Sequence, residues 1–279
     1  MPPVALVVVG IGSTQLGAAI AKSLFDELGP TGTVFLRITF AALALALLWR
    51  PGLRRWGRRD LALAAVFGVA LAGMNLSFYA AIDRLPLGVA VTLEFSGPLG
   101  VALLGSRRAL DVLWALLAAA GIVLLADPGG GVDPLGVGLA LTAGACWAAY
   151  ILLSQRAGQR FPGGTGLALA MSIGAVLVLP VGVAGGGAEL LSGGALLVGA
   201  AVGLLSSAIP YSLELEALRR LRTQVFGVLM SLEPAVAALV GFAVLGELLG
   251  VREFVAIMLV VVASAGATRA AGIAESRDV

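Results

Sequence analysis

Two glutamates, Glu94 and Glu233, interrupt long apolar stretches of the chain, and each lies close to a proline. A carboxylate inside a hydrocarbon layer costs several kcal/mol unless it is paired or hydrated, so such residues are candidates for substrate binding or proton transfer. The alternative is a structural hydrogen bond to a neighbouring helix. Both glutamates are predicted to lie deep, roughly 12 to 15 Å from the nearer end of their helices at 1.5 Å per residue.

The neighbouring prolines predict interruptions in the helices that carry these acids. Proline lacks the N–H that would bond to the residue four positions earlier, so Pro98 leaves the Glu94 carbonyl without its helical partner. Pro234 does the same for the carbonyl of Met230. Such carbonyls could hold a substrate ammonium group. The other interpretation is that the prolines only kink their helices and that neighbouring groups satisfy the carbonyls.

A zwitterionic substrate would also need donors for its carboxylate. Polar and aromatic side chains deep in the apolar stretches can supply a hydrogen bond or a cation–π face. These candidates for binding are Ser13, Gln15, Asn75, Tyr79, Trp147, Tyr150 and Tyr211. Taken singly, each of them is also explained by helix packing.

Further charged residues lie near the predicted ends of apolar stretches and are candidates for a gate. Lys22 and Arg37 could meet a substrate carboxylate, pair with Glu94 or extend to the membrane interface. Glu214 and Glu216, near the inner end of the eighth span, could form a gate with Arg219 or Arg220. Glu216 with Arg220 is also an ordinary i, i+4 helix pair.

The composition indicates that the bilayer is the solvent of this chain. Of its 279 residues, 59% are hydrophobic and only 12% are charged, and the mean hydropathy is +1.04. These values lie outside the range of soluble globular domains. Apolar stretches of about 20 residues, enough to cross a hydrocarbon core of roughly 30 Å as a helix, recur along nearly the whole sequence.

Several classes of function are disfavoured by the same composition. The chain has no His and a single cysteine, Cys146, so neither a disulfide framework nor a multi-Cys/His metal site can be built. The nucleotide-binding motif GxxxxGK[ST] is absent. An intramembrane enzyme would have to use isolated Glu and Ser residues and is a remote alternative. We therefore expect a transporter without metal or cofactor, and the net charge of +2, due to Arg in short loops, does not call for a nucleic-acid partner.

Charge and hydropathy together predict an all-α integral membrane protein with ten transmembrane helices and both termini in the cytoplasm. The predicted spans are 4–24, 31–49, 61–82, 86–104, 110–126, 134–153, 164–184, 194–213, 223–245 and 251–269. In this orientation all but four of the 18 Lys and Arg residues lie on the cytoplasmic side. That distribution is typical of inner-membrane proteins and selects one orientation.

The two halves of the chain repeat one pattern. Arg84 precedes Pro98 by 14 residues, and Arg220 precedes Pro234 by the same spacing. With five spans in each repeat, the second repeat enters from the opposite face, which predicts an inverted pair around a site near the middle of the membrane. The predicted domains are a first five-helix repeat at 1–128, a second at 129–270 and a short cytoplasmic tail at 271–279.

Several segments, in order along the whole chain, resemble the EamA-type drug/metabolite transporter superfamily and, within it, the threonine/homoserine exporter branch. The superfamily resemblance is carried by Gly73-Met74-Asn75, Phe78-Tyr79, Pro86-Leu87-Gly88-Val89-Ala90, Gly97-Pro98-Leu99, Ser106-Arg107-Arg108, Gly144-Ala145-Cys146-Trp147-Ala148, Gln155-Arg156-Ala157-Gly158, Phe226-Gly227, Glu233-Pro234-Ala235 and Gly246-Glu247. The branch assignment depends on Leu93-Glu94-Phe95 and Pro210-Tyr211-Ser212-Leu213-Glu214.

This resemblance implies a secondary active exporter in the bacterial inner membrane. Its implied substrates are small polar metabolites, amino acids such as threonine and homoserine, moved by alternating access. Proton coupling through Glu94 or Glu233 is the natural expectation. The alternative within the superfamily is transport of another metabolite or a drug. The expected partners are the small-molecule substrate and the lipid bilayer.

Overall fold

The computed structural model describes residues 2–52, 56–104, 109–126, 132–210, 213, 217 and 229–275. Within these residues the regular secondary structure is entirely helical. The helices are α1 (Pro3–Lys22), α2 (Phe25–Trp49), α3 (Arg58–Ile82), α4 (Leu87–Glu94), α5 (Ser96–Leu104), α6 (Ala109–Ala126), α7 (Pro134–Arg160), α8 (Thr165–Gly186), α9 (Gly193–Gly203), α10 (Glu233–Leu245) and α11 (Val251–Glu275). A 3₁₀ turn at Gly187–Leu191 follows α8, and a π-helical turn at Leu204–Ala208 follows α9.

Five of these helices are long and apolar enough to cross a membrane: α1, α2, α3, α7, and α8 with its 3₁₀ extension. Shorter apolar helical stretches cover Leu87–Val101, Val112–Leu124, Gly193–Ala208 and Glu233–Leu245. The prediction of an all-helical membrane architecture is thus confirmed. Since several predicted spans correspond to short or interrupted helices, the count of ten remains a prediction.

The predicted span at 86–104 is two helices, α4 and α5, that meet at Phe95. Pro98 lies in the first turn of α5, where a proline is tolerated because its missing N–H would have no helical partner in any case. In the second half, a turn at Ser231 and Leu232 precedes α10, and Pro234 occupies the first turn of that helix. Both predicted interruptions are therefore present, and each lies beside one of the two acids.

Helix α2 is kinked where the chain first enters it. Gly29 has φ 64° and ψ 168°, a backbone conformation open to glycine and strained for other residues. Pro30 follows directly, so the regular part of α2 begins there, in agreement with the predicted span at 31–49.

Helices of the first half pack mainly against helices of the second half. The pairs in most extensive contact are α2 with α8, α3 with α7, and α6 with α11, and α4 packs against α10. Several contacts occur in related pairs: α4 and α5 lie against α7 as α10 lies against α1, and the α3–α7 contact corresponds to that of α9 and its π-helical turn with α1. Exchanging the two halves therefore reproduces the same packing pattern.

The crossing of α5 and α7 depends on two glycines. A Cβ added to Gly97 would collide with the carbonyl of Gly144, and a Cβ added to Gly144 would lie 2.6 Å from the carbonyl oxygen of Glu94. The small residue at Gly144, one of a series spaced four apart on α7, thus lets two backbones approach closely. The Glu94 carbonyl is covered by α7, so packing accounts for it better than the binding of an ammonium group.

Candidate functional site

Glu94 lies at the end of α4, next to the helix break, and its side chain is only 8% exposed. Among the described residues no hydrogen bond reaches its carboxylate. The positive charge of Arg37 on α2 interacts electrostatically with the Glu94 carboxylate, but the two groups do not form an ion pair. A buried acid is thus held near a buried base with neither one neutralised by direct contact.

Arg37 lies halfway along α2 and is also 8% exposed. Its Nη2 donates a hydrogen bond of 3.3 Å to the Ser206 carbonyl oxygen in the π-helical turn. The guanidinium carbon lies 5.2 Å from the centre of the Tyr79 ring, within the range of a cation–π contact. The buried Nε of Arg37 has no hydrogen-bond partner.

Tyr79, on α3, is completely buried. Its ring packs against Phe25, with centroids 5.8 Å apart, and against Phe78 at 6.0 Å. Its hydroxyl interacts with the side chains of Arg37 and Ser206 but forms no hydrogen bond of ordinary geometry, and the Ser206 hydroxyl, which is 2% exposed, forms none either. Helix α2, helix α3 and the π-helical turn thus each contribute one buried polar atom without a hydrogen bond of ordinary geometry. These atoms are Arg37 Nε, Tyr79 Oη and Ser206 Oγ.

The second acid, Glu233, begins α10 and is 6% exposed. Gln15 of α1 donates from Nε2 to Glu233 Oε1 at 3.3 Å. On the same helix, Ser13 donates to the Leu205 carbonyl at 2.7 Å. Leu205 and Ser206 belong to one π-helical turn. This turn therefore contacts both α1, which carries the Gln15 partner of Glu233, and Arg37 on α2. Such turns are frequent at functional sites.

Three other predicted binding residues make contacts of their own, and their roles in binding remain predictions. Asn75 donates its amide to the Leu71 carbonyl of its own helix at 2.8 Å. Trp147 meets Phe95, the residue at the break, edge to face at 5.6 Å. Tyr150 packs against Phe67 with ring centroids 5.3 Å apart. Tyr211, Glu214 and Glu216 lie outside the described residues, and so does the gate predicted for the two glutamates with Arg219 or Arg220.

Lys22 takes part in a contact that closes one end of the helix bundle. Its Nζ donates to Glu247 Oε1 at 2.6 Å and to the Leu85 carbonyl at 3.1 Å, while Glu247 Oε2 accepts the Leu87 N–H at 2.7 Å. This ion pair joins the end of α1, the start of α4 and the connection after α10. The sequence predicted Lys22 in a gate. It indicated Glu247 only as part of the Gly246-Glu247 segment that resembles the transporter superfamily, without a role for its side chain.

Two ion pairs connect α3 and α7 at opposite ends. At one end Arg84 Nη1 contacts Asp133 Oδ2 at 2.9 Å, and at the other Arg160 contacts Asp60. The hydrogen bond from Arg84, followed by the one from the Leu135 N–H, holds the pKa of Asp133 below its usual value. Among the described side chains no cluster of His, Cys, Asp or Glu is suited to a metal ion.

The chain is similar to known membrane transporters. Residues 134–269 match the model of the EamA-like transporter family. The threonine/homoserine exporter RhtA of Salmonella typhimurium strain SL1344 is 42% identical over 269 residues, which is 95% of this chain and 91% of that protein. The exporter of the same name from Escherichia coli K12 is 43% identical over the same shares.

A protein of known crystal structure shares the fold. It superposes with a TM-score of 0.63, covering 97% of this chain and 99% of its own, at 22% sequence identity. Because the relatives are named as exporters, the prediction of a transporter rather than an enzyme is confirmed. The chain is a multi-pass membrane protein that belongs to the EamA-like transporter family.

Proposed function

We propose that the protein is a secondary active exporter of threonine, homoserine and related amino acids in the bacterial inner membrane. The observation that carries this proposal is the identity of 42 to 43% with the RhtA exporters over 95% of the chain. The buried acids and the unsatisfied donors beside them are consistent with a polar, zwitterionic substrate.

The proposed architecture has ten transmembrane helices in two inverted repeats, 1–128 and 129–270, with both termini in the cytoplasm. Three observations support it: the packing pattern that persists when the halves are exchanged, the helix breaks that follow one proline spacing, and the arginines concentrated on one side. The other helices complete the count: α4 and α5 as one interrupted span, α6, α9, α10 and α11. Broken helices beside a central site are typical of inverted-repeat transporters.

Alternating access requires that one end of the bundle be closed while the other is open. We assign the outer gate to Lys22 and Glu247, which join α1 to the segments that begin α4 and follow α10. Opening toward the outside would separate this pair and free the Leu87 N–H. Glu94 and Glu233 are the proposed sites for substrate and proton, since they are the deeply buried acids beside the helix breaks.

The experiment is efflux of labelled threonine and homoserine from cells that express the protein. Glu94→Gln and Glu233→Gln remove one charge each, and Glu27→Gln, an exposed acid at the start of α2, is the matched control. All variants are first shown to reach the membrane. We expect the wild-type protein and the control to stimulate efflux and the two buried variants to reduce it, Glu94→Gln more strongly than Glu233→Gln.

Collapse of the proton gradient tests the coupling separately. Loss of efflux after addition of an uncoupler supports proton exchange, whereas unchanged efflux overturns it. If the wild-type protein stimulates neither threonine nor homoserine efflux, the substrate assignment is wrong, and other metabolites and drugs are to be screened with the same cells.

A further inference from the structure

We propose that Arg37, Tyr79 and Ser206 form a receptor for the α-carboxylate of the substrate and that Glu94 receives its α-ammonium group. This inference rests on the proposed export of amino acids and assigns to named side chains the groups that all such substrates share. It gives Arg37 a role in binding in place of the gate predicted from the sequence.

The first argument is the unsatisfied hydrogen bonding at this position. Arg37 Nε, the Tyr79 hydroxyl and the Ser206 hydroxyl are all buried, and although the Tyr79 hydroxyl interacts with both Arg37 and Ser206, none of the three atoms forms a hydrogen bond of ordinary geometry. The three side chains are exposed by 8%, 0% and 2%, respectively. Buried polar groups in folded proteins are nearly always bonded, so three exceptions around one guanidinium require an explanation. Each of these groups can donate a hydrogen bond, which is what a carboxylate accepts.

The second argument is that the guanidinium is already held in place. Nη2 is bonded to the Ser206 carbonyl, and the guanidinium lies over the Tyr79 ring. Its Nε belongs to the edge that, together with one Nη, binds a carboxylate through two parallel hydrogen bonds. A donor fixed in this way loses little side-chain entropy when the ligand arrives.

The third argument is the separation of charges. Glu94 interacts electrostatically with Arg37 but makes no ion pair with it. A zwitterion placed between the two would put its carboxylate on the guanidinium and its ammonium group on the carboxylate. Each buried charge would then gain the partner that it lacks, as buried charges require.

The pair of substrates named for the relatives is also explained by such a receptor. Threonine and homoserine have the same α-ammonium and α-carboxylate groups and differ in the position of their hydroxyl. A site that recognises the shared groups with charged partners accepts both molecules, because the side-chain hydroxyl is not the main determinant of binding.

The test uses purified protein in liposomes and measures counterflow of labelled L-threonine. L-threoninamide, which has the ammonium group and lacks the carboxylate, serves as the competing ligand. The variants are Arg37→Gln, Tyr79→Phe and Ser206→Ala. The control is Ser77→Ala, since Ser77 is a buried serine on α3 whose hydroxyl is bonded to the Gly73 carbonyl of its own helix at 2.6 Å.

We expect Tyr79→Phe and Ser206→Ala to raise the half-saturating threonine concentration about tenfold, the usual effect of losing one hydrogen bond to a charged group. Their melting temperatures should be unchanged or higher, because each change removes an unsatisfied buried group. Arg37→Gln should abolish the preference for threonine over threoninamide. Ser77→Ala should keep the wild-type half-saturation.

The outcomes separate this inference from the proposed function. If the wild-type protein carries no threonine, both are overturned. If it carries threonine while Tyr79→Phe and Ser206→Ala keep both half-saturation and the preference over the amide, the exporter stands and the carboxylate receptor is wrong. A lower melting temperature with unchanged half-saturation in these two variants indicates a structural role and likewise overturns the receptor.

Discussion

Charged residues in the middle of the helix bundle and charged residues at the ends of the bundle make different contacts in this fold. In the middle, Glu94 and Arg37 are 8% exposed, and neither has a carboxylate–guanidinium contact with the other. At the ends, Lys22 contacts Glu247 and Arg84 contacts Asp133, each as a direct ion pair. The ends therefore hold helices together, while the middle keeps charges available for something that binds.

The free-energy cost of holding a charged side chain is also higher in the middle of the bundle than at its ends. A buried charge that lacks a partner is far more costly than an exposed one, so its persistence in a fold indicates a function. Two of the end pairs differ in exposure. The side chains of Lys22 and Glu247 are 23% and 15% exposed, whereas those of Arg84 and Asp133 are 42% and 34% exposed. The effect of substitutions is expected to decline along this order.

The largest effect is expected at Glu94. Glu94→Gln removes the proposed partner of the substrate ammonium group, and we expect efflux of threonine to fall about 100-fold, as for the loss of a buried charged contact. Glu233→Gln should reduce it about tenfold, because the new amide oxygen can still accept the hydrogen bond from Gln15. Initial rates of efflux at equal protein levels in the membrane give both values. Equal losses of efflux in Glu94→Gln and Glu233→Gln would contradict the expectation that Glu94 contributes more than Glu233.

The next effect concerns the crossing that positions the Glu94 carbonyl. Gly97→Ala forces a methyl group against the Gly144 carbonyl, and we expect a loss of about 2 kcal/mol in the free energy of unfolding, as for an overpacked core. Gly100→Ala is the matched control, because a Cβ at Gly100 meets nothing within 4 Å on the same helix. Unfolding of both variants in detergent provides the comparison. A Gly97→Ala variant as stable as the control would show that α5 and α7 can separate freely.

Much of the fold was predictable because it depends on local pattern. Long apolar stretches predicted α1, α2, α3, α7 and α8, and the prolines predicted the two breaks. The start of α2 beyond Gly29 and Pro30 followed from the same reasoning, since both residues interrupt a helix. These features need only the preferences of the residues themselves and the thickness of the bilayer.

For the proposed site, the sequence indicated the two acids and their neighbours Arg37, Tyr79 and Gln15, but not Ser206. Glu94 and Glu233 stand out because a carboxylate in an apolar stretch is rare. Ser206 does not stand out, because a serine among small residues is common in packed helices and the sequence does not predict the π-helical turn that contains it. The pairing of Lys22 with Glu247 joins residues 225 positions apart, so it follows only from the packed helices.

The ion pair of Lys22 and Glu247 should have an intermediate effect. A double-mutant cycle with Lys22→Met and Glu247→Gln should give a coupling of about 1 kcal/mol in the free energy of unfolding, above the median for exposed pairs because both side chains are mostly buried. If the pair is also the outer gate, both single variants should increase the labelling of a cysteine introduced at Leu85 from the outside. A coupling of zero would place this contact with the ordinary surface pairs.

The smallest effect is expected for Arg84 and Asp133, and pH reveals it. The pKa of Asp133 is lowered in the folded protein, chiefly by the hydrogen bond from Arg84. Stability from its charge is therefore present above the unfolded pKa of about 4 and is lost as the pH falls through the lower folded value.

Asp133→Asn keeps the cap on the Leu135 N–H, because Asn is an equally good N-cap, and removes only the charge. The melting temperature of this variant should lie slightly below that of the wild-type protein at pH 7. The difference should shrink toward pH 3 and in high salt, because both side chains are accessible to solvent. A difference that is as large at pH 3 as at pH 7 would mean that Asp133 acts through its shape and its cap. The contrast between paired ends and open middle would then rest on the pairs Lys22–Glu247 and Arg160–Asp60.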